Sequence, residues 1–141
     1  FTLKLFDLCY DNIKTLRING ETVAMCFLLP CEVDGKKAKY IYGFTVKEKY
    51  RGSGYGKALM EQIKNETDDI LILRPANEKL IDYYKQFGFC EIKASNQKGD
   101  ISVIPTDSYA NLCEKDKKGE YTAMVYGLET DKTLYFPYSL A

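Results

Sequence analysis

The chain has no histidine and no tryptophan among its 141 residues, and no net charge, 20 Lys+Arg standing against 20 Asp+Glu. Without histidine, no Ser-His-Asp or Cys-His arrangement can be assembled within it. A His-ligated metal site is excluded for the same reason. The balanced charge, with neither half a basic block, argues against a general binder of nucleic acid or acidic membranes. No CxxC pair occurs, which removes a zinc ribbon from consideration. The apolar run that ends at Leu29 is far too short to span a bilayer. No signal-peptide pattern opens the chain. It begins with Phe1 rather than methionine, so the natural start is expected to lie outside it. No internal repeat, low-complexity tract or linker interrupts the sequence. One domain over 1–141 is expected, with 45% hydrophobic residues to build its core.

Five cysteines are present, Cys9, Cys26, Cys31, Cys90 and Cys113. Their odd number and irregular spacing do not read as a disulfide framework. They read as small buried hydrophobes in a reducing compartment, so the expected location is cytoplasmic.

Residues 1–10 place Leu5, Phe6, Cys9 and Tyr10 at near-helical spacing, which predicts a short helix. Residues 12–18 alternate. Asn19-Gly20 then gives a strong hairpin signal, because a type I′ turn needs positive φ at both central positions. The return strand is expected over 21–29, ended by Pro30. Asp34-Gly35 marks a second turn, and a third strand is expected over about 38–46. After RGSGYG at 51–56, Leu59, Met60 and Ile63 form the stripe of a helix reaching about Asn65. Ile70 to Leu73 reads as a strand buried on both faces. Asn77 can cap a helix carrying Leu80, Ile81, Tyr84 and Phe87, which Gly88 ends. Phe89 to Ile92 is a further short strand. Residues 94–100 read as a polar loop, and 107–117 as a helix capped by Asp107. Tyr121 to Leu128 reads as a strand, and Leu134 to Tyr138 as extended.

RGSGYGK is the segment that carries chemistry. A glycine-dense turn opening a helix presents backbone N–H groups and a partial positive charge to an anion such as a pyrophosphate. A Walker A loop fails here, since Arg51 stands where its first glycine belongs and Ala58 follows the lysine. The dinucleotide fingerprint fails at Lys57, where it needs glycine. The spacing that fits is Arg-x-x-Gly-x-Gly, at Arg51, Gly54 and Gly56. Asn77 follows twenty-one residues after Gly56, and Asn-x6-Tyr-x3-Gly-Phe then runs from Asn77 through Tyr84 to Gly88-Phe89.

These two motifs, in this order, resemble the GCN5-related N-acetyltransferase (GNAT) family over about residues 12–92. The resemblance implies an α/β (α+β) fold with a mixed, mostly antiparallel central sheet, a V-shaped acetyl-CoA slot and flanking helices. It implies an acetyl-CoA-dependent N-acetyltransferase that moves an acetyl group to a primary amine by direct attack in a ternary complex. Acetyl-CoA (coenzyme A) is then the co-substrate, and no metal is needed. The implied cofactor-binding residues are Phe44, Thr45, Val46, Arg51, Gly52, Ser53, Gly54, Tyr55, Gly56, Lys57 and Asn77. A bulge would part the strand at 44–46 from a parallel neighbour at 70–73. A backbone N–H near Val46 would polarise the thioester carbonyl, and Tyr84 would be the general acid. The expected partner is a small-molecule or peptide amine acceptor, with no nucleic acid, no membrane, and a monomer or homodimer as the working unit.

The residues also have plainer readings. Tyr84 lies on an apolar helix face and reads equally as a packed core tyrosine, and Tyr83 beside it could compete for the acid role. Asn77 could be a helix cap alone, and Arg51 and Lys57 surface charges. Cys90 reads as a buried strand residue. Glu32 and Glu48 lie near the relevant strands, but neither identifies itself as a base. Tyr40, Tyr42 and Tyr50 could line an acceptor pocket or reflect β-propensity. A non-catalytic acyl-CoA-binding or sensing module is the alternative function, and a protein-interaction domain with a structural glycine loop is a third. About eleven residues precede the first hairpin, so the family's usual first strand and first helix are expected to be absent. The long stretch 93–120 is expected to shape the acceptor site.

Overall fold

The computed structural model describes residues 10–106, 114–115, 119–136 and 138–139. A 3-10 turn, Tyr10–Asn12, leads into β1 (Ile13–Ile18) and β2 (Glu21–Val33). They are joined at Asn19-Gly20, with φ of 51° and 80°, and pair antiparallel. Asp34-Gly35, with φ of 53° and 74°, turns β2 into β3 (Lys36–Val46). Both turns are thus made by dipeptides that tolerate positive φ at two successive positions.

β2 does not stop at Pro30 as the sequence suggests; it runs on to Val33. One side of β2 pairs with β3 throughout. On the other side β1 reaches only as far as Phe27, and β6 (Ile101–Pro105) begins at Cys31. The Pro30 carbonyl accepts from Thr106 N–H at 3.2 Å on that second side. The missing N–H of Pro30 faces the same gap between two partners, so the ladder loses nothing.

Next come α1 (Tyr55–Glu66), β4 (Ile70–Leu73), α2 (Lys79–Lys85) and β5 (Cys90–Ser95). After β6 follow β7 (Glu114–Lys115), β8 (Glu120–Tyr126), β9 (Leu134–Tyr135) and β10 (Tyr138–Ser139). β7 and β10 pair with each other, apart from the main sheet. The main sheet runs β1-β2-β3-β4-β8-β5-β9-β6, and β6 pairs again with β2. Seven strands therefore form a ring, with β1 as an outer extension along the first half of β2.

The ring separates two cores. Inside it, Phe27, Leu29, Val33, Tyr40, Ile72, Ile92, Val103, Val125, Leu134 and Phe136 pack together. Outside it, Cys26, Ile41, Leu71, Leu73 and Met124 receive both of the described helices, through Leu59, Met60 and Ile63 of α1, Tyr84 of α2 and Phe87 in the turn just after it. Leu59, Met60 and Ile63 are wholly buried, each worth about 1.5–3 kcal/mol of transfer free energy. Four successive buried residues in β4 supply both cores, as a strand covered on two faces must.

The C-terminal third departs most from the sequence reading. Ala94 and Ser95 belong to β5, not to a loop, and Ser95 and Asn96 are buried. Ser95 is satisfied by its own loop, and Asn96 by a distant segment. Ser95 Oγ accepts from Gln97 and Lys98 N–H, and Asn96 Oδ1 accepts from Gly119 N–H at 2.9 Å. Of the helix expected over 107–117, only Glu114–Lys115 is described, and it is strand. The rest of that helix, and residues 1–9 of the first, lie outside the described residues.

Candidate active site

β3 and β4 run parallel, but pair only from Ala38↔Ile70 to Tyr40↔Ile72. Beyond Tyr40 the two strands part, and the cause is local. Between Met25↔Thr45 and Phe27↔Tyr42, β3 spends one more residue than β2, a β-bulge at Gly43, whose φ is 66°. The bulge also reverses side-chain alternation. Before it, Ala38, Tyr40 and Tyr42 face the ring interior and Ile41 faces the helices. After it, Phe44 and Val46 face the helices. One extra residue opens a slot beside Phe44 and Val46, which face it from the helix side.

The same stretch offers backbone to the slot. Lys47 N–H donates to Val23 C=O at 2.9 Å, which makes that pair a hydrogen-bonded position of the β2–β3 ladder. Its neighbour Val46↔Ala24 is then a non-bonded position, so Val46 N–H and C=O point away from β2 toward the parted edge. Arg51 Nε donates to Val46 C=O at 3.1 Å, leaving the Val46 N–H directed at the slot.

From Val46 the chain makes a 3-10 turn at Glu48–Tyr50 and enters the glycine loop. Gly52 and Gly54 both have φ of 83°. Gly54 is the N-cap of α1, and Ala58 N–H closes the first helical bond on its carbonyl at 3.0 Å. The N–H groups of the first turn are left for an anion. Gly56 is needed for another reason. A Cβ there would lie 2.2 Å from the Tyr83 hydroxyl oxygen and 3.4 Å from a Val46 methyl.

Opposite stands α2. The helix begins at Lys79, two residues past Asn77, yet Asn77 Oδ1 accepts from Leu80 N–H at 3.3 Å in the manner of a cap. Gly88, with φ of 91°, ends it, and a Cβ there would press on the Tyr126 ring at 3.1 Å. The helix presents Leu80, Tyr83, Tyr84 and Phe87 on one side.

These elements enclose one cleft of about 670 Å³, within the range of small-molecule sites. It joins the parted end of β3, the glycine loop, the first turn of α1 and the aromatic side of α2. Phe44, Thr45, Val46, Arg51, Gly52, Gly54, Tyr55, Gly56, Lys57 and Tyr84 all line it. Of the residues expected from sequence, only Ser53 and Asn77 stand outside the lining, both exposed. Tyr50, Leu80, Tyr83, Gln86 and Phe87 line it as well. The helical spacing of 80, 83, 84 and 87 was the signal that could have found three of these, Leu80, Tyr83 and Phe87, in advance.

Tyr84 is 7% exposed, and its ring lies edge-on to Phe44, Tyr83 and Phe89 at 6.2, 5.3 and 6.1 Å. Burial first, then Tyr83 and Cys26 nearby, push its pKa up to about 12. It therefore holds its proton at neutral pH. At the mouth, Tyr50 hydroxyl donates to Glu21 at 2.5 Å, and Tyr50 and Tyr55 meet edge to face at 5.8 Å. The Tyr50 hydrogen bond, helped by Lys49, holds the Glu21 carboxyl below its ordinary pKa. Lys49 and Lys47 are paired to Glu21 at 3.1 and 3.7 Å, while Arg51 and Lys57 sit on the loop and first helical turn.

Other candidates fall elsewhere. Glu32 and Glu48 are exposed and do not line the cleft. Tyr40 is buried in the ring against Phe136. Cys90 is exposed rather than buried: it shares the face of Ile92 and Ala94 but stands at the very start of β5. Cys26 and Cys31 are free and buried as expected, their thiols pushed up to about 12 by burial. Cys9 and Cys113 lie outside the described residues.

No curated protein sequence matches the chain significantly. Residues 6–89 match the sequence model of the acetyltransferase (GNAT) family. The chain belongs to the GNAT family. Solved structures share the fold at low identity. A histone acetyltransferase HPA2 and related acetyltransferase from Corynebacterium glutamicum is 21% identical, with a TM-score of 0.58, over 92% of this chain and 72% of that one. Ard1 from Thermoplasma volcanium is 21% identical, with a TM-score of 0.54, over 91% and 78%. Arabidopsis thaliana Naa50, solved with the bisubstrate analogue CoA-Ac-MVNAL, is 20% identical, with a TM-score of 0.54, over 86% and 78%. The mixed sheet with flanking helices and a parted strand pair is thus the GNAT fold, here with both helices on the outer face of a closed ring.

Proposed function

We propose that this GNAT protein is an acetyl-CoA-dependent N-acetyltransferase acting on a primary amine, small or peptidyl. The observation that carries this reading is the continuity of one cleft from the glycine loop to Tyr84. A pyrophosphate at the loop would meet the free N–H groups of α1, with Arg51 and Lys57 close by. The amide-rich pantetheine arm would lie along the open edge of β3. Its thioester would then reach the Val46 N–H and the Tyr84 hydroxyl. Naa50, with its CoA-containing bisubstrate analogue, is consistent with such a path.

In this mechanism the neutral amine attacks the thioester carbonyl carbon. The Val46 N–H stabilises the negative charge that develops on the carbonyl oxygen. The C–N bond forms, the C–S bond breaks, and the surplus nitrogen proton passes to solvent. Tyr84, pushed up to about 12, is a weaker acid than an ordinary thiol, whose pKa is about 8.5. Complete transfer of its proton to a departing thiolate is therefore uphill. Tyr84 contributes by donating a strengthening hydrogen bond to the sulfur as charge develops there. No step needs histidine or a covalent enzyme intermediate.

The test is thiol release from acetyl-CoA against a panel of amines. Tyr84→Phe is expected to lower kcat about a hundredfold with CoA affinity nearly unchanged. An unaltered rate would remove Tyr84 from the mechanism. Firm CoA binding without turnover on any amine would favour the acyl-CoA-sensing alternative.

A further inference from the structure

Tyr83 was expected only as a rival to Tyr84, yet the two side chains do different things. Successive residues on a helix diverge by about 100°, so while Tyr84 packs inward, Tyr83 reaches across the cleft. Its ring rests edge-on against Tyr84 and Phe87, at 5.3 and 5.1 Å. Its hydroxyl ends beside Gly56, so close that a Cβ there would lie 2.2 Å from it. The side chain therefore ties α2 to the first turn of α1 at the waist of the cleft. Gly56 is what allows that approach.

Among the described residues no buried side-chain polar atom lacks a partner, so the Tyr83 hydroxyl stands open to the cleft. Its pKa is raised by burial, so it keeps its proton and is a donor. Gly56 beside it belongs to the α1 first turn, whose N–H groups have no intrahelical partner, and Arg51 and Lys57 line the same cleft.

We propose that Tyr83 is a ligand-binding residue of this cleft, its hydroxyl donating a hydrogen bond to a phosphate oxygen of coenzyme A alongside the α1 amides. The inference rests on the coenzyme A reading above. It separates the two tyrosines by role: Tyr83 serves affinity and Tyr84 serves turnover.

Calorimetric titration with coenzyme A of wild type, Tyr83→Phe and Tyr84→Phe tests this. Tyr83→Phe keeps the ring contacts and removes the hydroxyl. Its Kd is expected to rise about tenfold, as for loss of one hydrogen bond to a charged group, while Tyr84→Phe stays near wild type. Wild-type affinity in a folded Tyr83→Phe protein would overturn the assignment of Tyr83 and leave the cofactor reading standing. No binding by wild type would overturn the cofactor reading itself. Gly56→Ala supplies a second check through thermal melting. Its loss of stability should shrink when Tyr83 is also Phe, because the nearest ring atom, Cζ, stands 3.5 Å from the new Cβ. Equal losses in both backgrounds would contradict the contact on which the inference depends.

Discussion

At Tyr84 a single phenol serves the packing of the outer core and faces the cleft. Phe44, Tyr83 and Phe89 surround its ring, and that burial drives its pKa upward. The rate should then show no alkaline fall caused by Tyr84 ionisation below about pH 10, the ordinary pKa of tyrosine, and a pH–rate profile checks this. Gly54 works through its backbone alone. A Cβ there would meet nothing within 4 Å, but φ of 83° is a conformation that side chains rarely adopt. Gly54→Val, β-branched as well, is expected to cost about 1–2 kcal/mol in that conformation and to weaken CoA binding by distorting the loop. Titration of the folded variant checks it, and unchanged affinity would reject the loop assignment.

Between elements, the decisive feature is one extra residue in β3. The bulge at Gly43 parts β3 from β4 beside Phe44 and Val46, which face the helices. Deleting Gly43 removes the bulge and restores unbroken β2–β3 pairing, with Phe44 and Val46 still on the helix side but the parted edge of β3 no longer displaced from β4. The variant is expected to lose CoA binding while keeping its far-UV circular dichroism, and retained binding would contradict the account. This element was only partly legible from sequence. The hairpins, both helices and β4 follow from dipeptide turns and apolar periodicity, which act locally. The bulge was expected through the family resemblance, since nothing in the sequence around Gly43 counts the residues of β2. β6 was missed although Ile101 and Val103 alternate with Ser102 and Ile104. Its burial depends on β2 and β9, far away in sequence. Buried Ser95 and Asn96 misled because their partners are backbone amides, those of Gln97 and of the distant Gly119, invisible in composition. Cleft residues inside the two motifs were legible, whereas Leu80, Gln86 and Phe87 enter through the helix that carries Tyr84.

For the whole molecule, closure of the ring joins the C-terminal third to the β2–β3 hairpin. Ile101 and Val103 of β6 are buried in the interior core, 6% and 1% exposed. Cys26, Cys31 and Tyr84 all hold protons to about pH 12 in the folded chain. Unfolded, the thiols and the phenol ionise near about 8.5 and 10. Between those values and pH 12 the unfolded chain binds fewer protons, so stability falls as pH rises. Urea midpoints are expected to drop steadily from pH 9 to pH 11, less so when Cys26 and Cys31 are both alanine. A flat profile would contradict the burial of these groups.

The account turns on where coenzyme A lies, and amide hydrogen exchange with and without coenzyme A reads this directly. The expected result is slowed exchange over 44–46 and 51–57, with β6 and β9 unchanged. Slowing elsewhere, with none at Val46 or the glycine loop, would contradict the placement of the ligand in this cleft.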